Sequence, residues 1–359
     1  MNKHYTIPSQ VADIATRNLR MPAEWEHSGA VLIAWPHADT DWAYMLDEVT
    51  RCYCDIAHAI IDSGAALVVV APDITIPKKH LADVDTSRII FCQVATNDTW
   101  ARDLGPITVL HDNGDIHLAD FCFNGWGLKF AACLDNLITS KLARAKVLDA
   151  SIDNHLGFVL EGGSIESDGC GTILTTSECL LSPNRNGDLS RADIEKYLHL
   201  ALGADRILWI DHGYLAGDDT DSHIDTLARL APNDTILYVK CDNPADEHYK
   251  ALSAMEQDIM ALRTRQGNTY NLVALPMPDP IYDEDGQRLP ATYANFLITD
   301  TSILLPIYGQ PANDRLAEQI LKIAFDDRRI ITIDCRPLIR QHGSLHCVTM
   351  QLPKEILPL

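Results

Sequence analysis

No run of about 18 apolar residues occurs anywhere in the chain, so a helix crossing a bilayer is not expected. The first twenty residues, MNKHYTIPSQVADIATRNLR, hold no apolar core ahead of a small-residue cleavage site, so no secretory signal is read and the expected location is cytoplasmic. Basic residues are scarce: 29 Lys and Arg face 50 Asp and Glu, a formal net charge of −21. Phosphate-rich partners need a basic surface, which argues against nucleic acid. The same acidity either draws cations toward a cleft or serves solubility alone. Paired cysteine motifs are also missing. The ten cysteines include no CxxC, and Cys52 and Cys54 are badly spaced for zinc. Without an export signal they read as reduced, buried small hydrophobes unless their neighbours argue otherwise. No Pro/Gly/Ser-rich linker divides the chain, so residues 1–359 read as one domain, and 47% hydrophobic content suffices for its core.

What is present is a recurring hairpin. ITVLHDNGDIHLAD, SIESDGCGTILTTS, TLARLAPNDTILYVK and NFLITDTSILLPIY each read as strand, polar turn, strand. They begin at 107, 164, 226 and 295, a loose spacing of about 60 residues. A helix-like stretch and one further β-branched run follow each. A fifth unit joins LHCVTMQLP near the C-terminus to AVLIAWP near the N-terminus, then to a helix and the strand ALVVVA. Joining the two ends leaves no open ring edge. The expected fold is therefore an α/β ring of five units with pseudo-fivefold symmetry.

The residues before each hairpin are chemically loaded. Asp98, Trp100, Arg102 and Asp103 precede the first, Glu161 the second, His223 and Asp225 the third; Asn295 opens the fourth and Cys347 the fifth. In a ring such entrances converge at one end of the axis. GSLHCVTMQ itself reads as a buried strand entered through a glycine turn, with Cys347 near its start. A thiol beside a histidine is an activated nucleophile pair. Surrounding carboxylates oppose an anionic intermediate but suit a cationic electrophile. A guanidinium is planar, positive and offers a donor fork to carboxylates, and once bound it lowers the thiol pKa.

The motifs NDTWARDLGP, LEGGSI, DDTDSHID, YANF and GSLHC, in this order, resemble the agmatine deiminase and bacterial peptidylarginine deiminase family of guanidine-modifying enzymes. The resemblance spans nearly the whole chain and implies the five-bladed α/β propeller known as the pentein fold. It implies that Cys347 attacks the guanidinium carbon, that Asp103 and Asp225 clamp its nitrogens, and that Glu161 assists binding and proton handling. It implies that His223 first protonates the departing ammonia and then activates the water that resolves a thiouronium intermediate. Trp100 becomes a wall beside the guanidinium, Asn295 a polar support, and Gly162 and Gly163 let the backbone approach. No metal or organic cofactor is implied; the partner is the small cation agmatine, no membrane is involved, and a homo-oligomer is left open. Two departures bear on substrate choice: RQHGSLHC replaces the common GGGNIHC, and Asp221 and Ser222 replace the Asn-Gly of NGHVD.

Blander readings stand beside these. Glu161 is a solvated turn residue, Arg102 a surface contact or a support for a carboxylate, Phe123, Trp126 and Phe130 core, and Lys129 solvated. Free arginine as substrate calls for a cation facing its carboxylate, with Arg185, Arg229 and Lys129 as candidates. The alternatives are a peptidylarginine deiminase or another arginine-derivative deiminase, a hydrolase with metal on Asp218, Asp219, Asp221 and His223, and a non-catalytic pentein binding module.

Overall fold

Hairpin chemistry is satisfied where it was expected. Gly114, at φ 88°, completes the turn between β5 (Ile107–His111) and β6 (Ile116–Cys122), and Asn233 and Asp234, at φ 62° and 52°, turn β11 (Ala228–Ala231) into β12 (Thr235–Lys240). These positions come from a computed structural model that describes residues 19–359. Most of the stretch read for a signal, and the first 18 residues of the expected domain, lie outside the described residues.

Along the chain run β1 (Leu19–Arg20), β2 (Gly29–Ala34), α1 (Leu46–Asp62), β3 (Ala66–Ala71) and β4 (Ile89–Gln93). After the β5–β6 hairpin come α2 (Ile138–Arg144) and β7 (Ser151–Val159), then β8 (Ile165–Ser167), β9 (Thr172–Thr176), α3 (Arg191–Leu202) and β10 (Arg206–Ile210). The β11–β12 hairpin is followed by α4 (Tyr249–Ala261) and β13 (Asn271–Pro276). Last come β14 (Leu297–Ile298), β15 (Ser302–Ile307), α5 (Pro311–Ala324), β16 (Arg329–Asp334) and β17 (Met350–Pro353).

Among the described residues these strands form five separate sheets in an α/β arrangement. Each contains an antiparallel hairpin-type pair and then a parallel strand reached through a helix. In the fifth, β17 pairs antiparallel with β2, so strands from near the two ends of the described chain meet in one sheet. Two strands were not anticipated: β1 adds an edge to β5, and β4 an edge to β3. β2 and β3 are buried at every residue, as expected of apolar parallel strands covered on both faces. α1 turns Val49, Cys52, Tyr53, Ile56 and Ile60 inward at helical spacing. Each large apolar side chain so buried contributes roughly 1.5–3 kcal/mol. α3 starts on a Ser190–Asp193 capping box and stops at Gly203 in the left-handed conformation. No helix among the described residues is long and apolar enough to cross a membrane.

Cys347 departs from the expected strand. Residues 345–348 form a turn, and β17 begins only at Met350. The cause is Asn295, whose Oδ1 accepts from the backbone N–H of His346 at 2.9 Å and of Cys347 at 3.3 Å, taking donors that a ladder would need.

Candidate active site

Asp103 sits in the single helical turn Ala101–Leu104 ahead of β5, and Asp225 in the equivalent turn Ile224–Leu227 ahead of β11, with His223 as its N-cap. Glu161 precedes the turn Gly162–Ser164 that leads into β8. Asn295 precedes β14 and Cys347 precedes β17. All six of these residues are buried.

Gly163 shows how closely three of them meet. A Cβ built on it would lie 2.7 Å from His223 Nδ1, 2.9 Å from Asp103 Oδ1 and 3.1 Å from Asp225 Oδ2. The absent side chain is what lets these groups gather, and its N–H donates to Asp103 Oδ1 at 2.9 Å. His223 Nδ1 is 3.7 Å from the same oxygen. Donor atoms of Glu161, His223 and Cys179 lie within 4.8 Å of one another. Gly162 is equally constrained, since a Cβ there would fall 2.3 Å from the Arg102 carbonyl. Cys347 Sγ donates to Asn295 Oδ1 at 3.4 Å, and its carbonyl accepts from Arg102 N at 3.1 Å, one residue from Asp103.

Cys347, Asp103 and Trp100 line one cavity of about 110 Å³ whose other walls include Trp126, Phe130, Asp41, Asp98, Asp218 and Asp219. A larger cavity of about 170 Å³, bordered by Glu24, Arg102, Gly162 and Glu166, has no cysteine in its lining. Trp100 packs edge-on against Trp126 and lies against Gly343, where a Cβ would strike its ring. The glycine of RQHGSLHC thus makes room for the indole.

Electrostatics follow from burial. Burial, then the Asp225 and Glu161 charges, push the Asp103 carboxyl up to about 8 against hydrogen bonds from Trp126 and Gly163. Asp225 is buried too, but the hydrogen bond and charge of His346 overcome this and lower its pKa. Burial holds His223 down at about 3, hence neutral, and raises the Cys347 thiol well above its ordinary range, with Asp225 and Asp103 adding to the rise. Asp225 Oδ1 and His223 Nε2 are buried without a hydrogen-bond partner among the described residues. A planar cation entering here would supply donors to the carboxylates and favour the thiolate.

Sequence reading did not single out Glu24, Glu166 or the side-chain partners of His346, and it did not foresee how Arg185 and Arg229 are used. His346 Nδ1 meets Asp225 Oδ2 at 2.7 Å, and its Nε2 meets Glu24 Oε2 at 2.8 Å. Glu24 also pairs with the buried Arg229, which pairs in turn with Glu166. Arg185 binds both oxygens of Glu161, at 2.9 and 3.0 Å, and Asp221 at 2.5 Å. His346→Ala therefore strands the buried Asp225 carboxylate and leaves Glu24 held by Arg229 and by the N–H of Ile298. The expected loss is about 3–5 kcal/mol of stability by urea unfolding, accompanied by weakened substrate binding as Asp225 protonates more readily.

The structure corrects three of the blander readings and bears out that of Lys129. Glu161 is fully buried, not solvated. Phe123 and Trp126 are buried in the core, as read, though Trp126 also donates Nε1 to Asp103 Oδ2 at 2.9 Å, while Phe130 is exposed and lines the cavity. Lys129 is exposed, as read, and at the surface it binds Asp221 at 2.7 Å and the Asp219 carbonyl. Arg102 is buried on Gln351 Oε1 at 2.6 Å and reaches no carboxylate directly. The metal set read on Asp218, Asp219, Asp221 and His223 does not assemble. Asp218 is spent on Thr220 and Ser222, and Asp221 on Lys129 and Arg185.

With this geometry in place, comparisons with known proteins give a consistent pattern. A family profile described as Porphyromonas-type peptidyl-arginine deiminase matches residues 20–353. A Legionella pneumophila protein provisionally named agmatine deiminase is 34% identical over 337 residues, covering 93% of this chain and 95% of that protein. A Porphyromonas gingivalis crystal structure, provisionally named arginine deiminase, is 50% identical with TM-score 0.90, covering 94% of this chain and 99% of its own. A cysteine-to-serine variant of C. jejuni agmatine deiminase, solved with substrate bound, is 35% identical with TM-score 0.87, covering 94% and 96%.

Proposed function

Because the chain belongs to the Porphyromonas-type peptidyl-arginine deiminase family, we propose that it hydrolyses the guanidinium group of agmatine to N-carbamoylputrescine and ammonia. The observation that carries the substrate choice is the cavity lining. Asp41, Asp98, Asp218 and Asp219 surround the approach to Cys347 and Asp103, and among the described residues no lysine or arginine lines it. Agmatine brings a guanidinium for the inner acids and an ammonium for the outer ones. Free arginine brings a carboxylate, and the three cations that could have met it are consumed: Arg185 on Glu161, Arg229 on Glu24 and Glu166, Lys129 on Asp221. An arginine within a peptide brings no second cation.

In this reading Asp103 and Asp225 accept the guanidinium N–H groups and Glu161 supports the same face. The bound cation favours the Cys347 thiolate, and the thiol proton passes to His223. Sulfur attacks the guanidinium carbon; the carbon–nitrogen bond then breaks as His223 protonates the departing ammonia. His223, neutral again, takes a proton from water, whose oxygen attacks the same carbon, and the carbon–sulfur bond breaks to release the ureido product. Trp100 forms the wall, Asn295 holds the nucleophile's turn, and Gly162 and Gly163 keep the space open. The five sheets form a five-bladed α/β propeller, a single catalytic domain of pentein type, a reading supported by the repeated hairpin–helix–strand order and by the pairing of β17 with β2. Ten free cysteines support a cytoplasmic setting.

An ammonia-release assay across agmatine, arginine and an arginine peptide tests the choice. The expected kcat/KM for agmatine exceeds the others by roughly 100-fold, the scale of one or two hydrogen bonds to charged groups. A peptide turned over best would establish peptidylarginine as the substrate, and binding of all three without turnover would leave a binding module.

A further inference from the structure

Three adjacent strands far from Cys347 in the sequence present another group of ligating side chains. In the β5–β6 ladder Val109 faces His117, and His111 lies two residues beyond Val109, hence on the same face. In the β6–β7 ladder His117 faces Ser151, and Asp153 lies two residues beyond Ser151, again on that face. Register therefore places two imidazoles and a carboxylate on one face of the sheet, with His117 between the other two, and the side chains close the remaining gap. His117 Nδ1 is 3.1 and 3.0 Å from the two Asp153 oxygens, and the two imidazole centroids are 4.1 Å apart. One donor atom of each residue lies within 4.8 Å of the others.

We infer that His111, His117 and Asp153 bind a divalent transition-metal ion of the zinc class. Two imidazoles and one carboxylate suit zinc, cobalt or nickel rather than calcium or magnesium, which prefer all-oxygen sets. Donors of a tetrahedral zinc ion sit about 3.3 Å apart, given bonds of about 2.0–2.2 Å, so the His117–Asp153 pair is already near that spacing and no pair need close by more than about 1.5 Å. Three protein donors leave the remaining position to water or an exogenous ligand. The ladder hydrogen bonds hold the three backbones rigidly, which favours binding without refolding. His117 also borders an open surface depression of about 620 Å³ with Asp115, Asp149 and Glu355, an acidic approach for a cation. Two other groups of candidate ligands differ in kind: Glu161, Cys179 and His223 belong to the reacting site, and Glu24, Glu166 and His346 surround Arg229.

The test uses the full chain with Cys347→Ser, to remove the reactive thiol, stripped with chelator and titrated with Zn²⁺ by calorimetry and with Co²⁺ by visible absorption. The expected result is one ion per chain, with no thiolate-to-metal charge-transfer band and a rise in Tm on adding Zn²⁺. Affinity falls at least about 10²-fold in His117→Ala and in Asp153→Asn, and stays unchanged in Cys179→Ser. His117→Gln, closer in size, keeps the comparison valid if His117→Ala fails to fold. With Cys347 intact, His117→Gln retains deiminase turnover. Absence of metal uptake, uptake undiminished in both His117→Gln and Asp153→Asn, or uptake lost in Cys179→Ser instead, overturns the assignment.

Discussion

Cys347→Ala lowers kcat for agmatine on the order of 10⁴-fold or more, while agmatine still binds. The acids proposed to hold the guanidinium, Asp103 and Asp225, make no hydrogen bond to the sulfur; Sγ contacts Asn295 Oδ1 instead. Removing the sulfur therefore deletes the nucleophile and spares the clamp. The variant also withdraws a group whose ionisation opposes theirs, since Asp225 and Asp103 both raise the thiol pKa. Agmatine affinity is thus expected to hold or improve, as read by calorimetry. Appreciable steady-state turnover in Cys347→Ala would mean that water attacks directly, without a covalent stage.

The second large effect comes from adding one methyl group. Gly163→Ala places a Cβ 2.7 Å from His223 Nδ1 and 2.9 Å from Asp103 Oδ1, closer than real Cβ contacts allow, and 3.1 Å from Asp225 Oδ2. None of the three can yield cheaply. Asp103 is fixed by Trp126 Nε1 and by the N–H of Gly163 itself, and Asp225 by His346. The backbone of His223 is anchored by donation to Thr220 Oγ1 at 3.1 Å. Displacing the clamp and the proton carrier together by a few tenths of an ångström is expected to reduce kcat/KM about 10²-fold or more, with a stability loss of about 1–3 kcal/mol. Gly114→Ala is the control. Its Cβ meets nothing within 4 Å and its φ of 88° makes it strained, so it lowers Tm and leaves turnover intact. Equal turnover in Gly163→Ala and the parent would show that the three groups do not act as one unit.

How far the sequence could be read depended on whether the information was local. The hairpins were legible because their turns carry their own chemistry: Asn113-Gly114 and Asn233-Asp234 each impose a backbone that only a few residue types accept. The acids and the histidine at the hairpin entrances were legible because the repeat gave them equivalent places. Cys347 was misplaced onto a strand because the alternation of LHCVTMQ ignores Asn295, which lies 52 residues away and pulls the segment into a turn. Arg229 and Arg185 could not be recognised as buried, since Glu24 lies 205 residues from Arg229 and Glu161 lies 24 from Arg185. An arginine is buried when its partners fold around it, and nothing adjacent in the chain announces that. Trp126 was taken for core alone because an aromatic ring fills core equally well; its positive φ of 54° turns it toward Asp103. His346 stood beside the nucleophile in plain view, but its two carboxylate partners lie far along the chain, Asp225 at a hairpin entrance and Glu24 between β1 and β2.

The most direct measurement is acid-quenched mass spectrometry of the peptide carrying Cys347 during turnover of agmatine, with His223→Gln used to slow hydrolysis of the intermediate. A mass gain on Cys347 equal to agmatine less ammonia is the predicted result. Turnover that proceeds with Cys347 unmodified at every quench time, or with the adduct on another side chain, would contradict it.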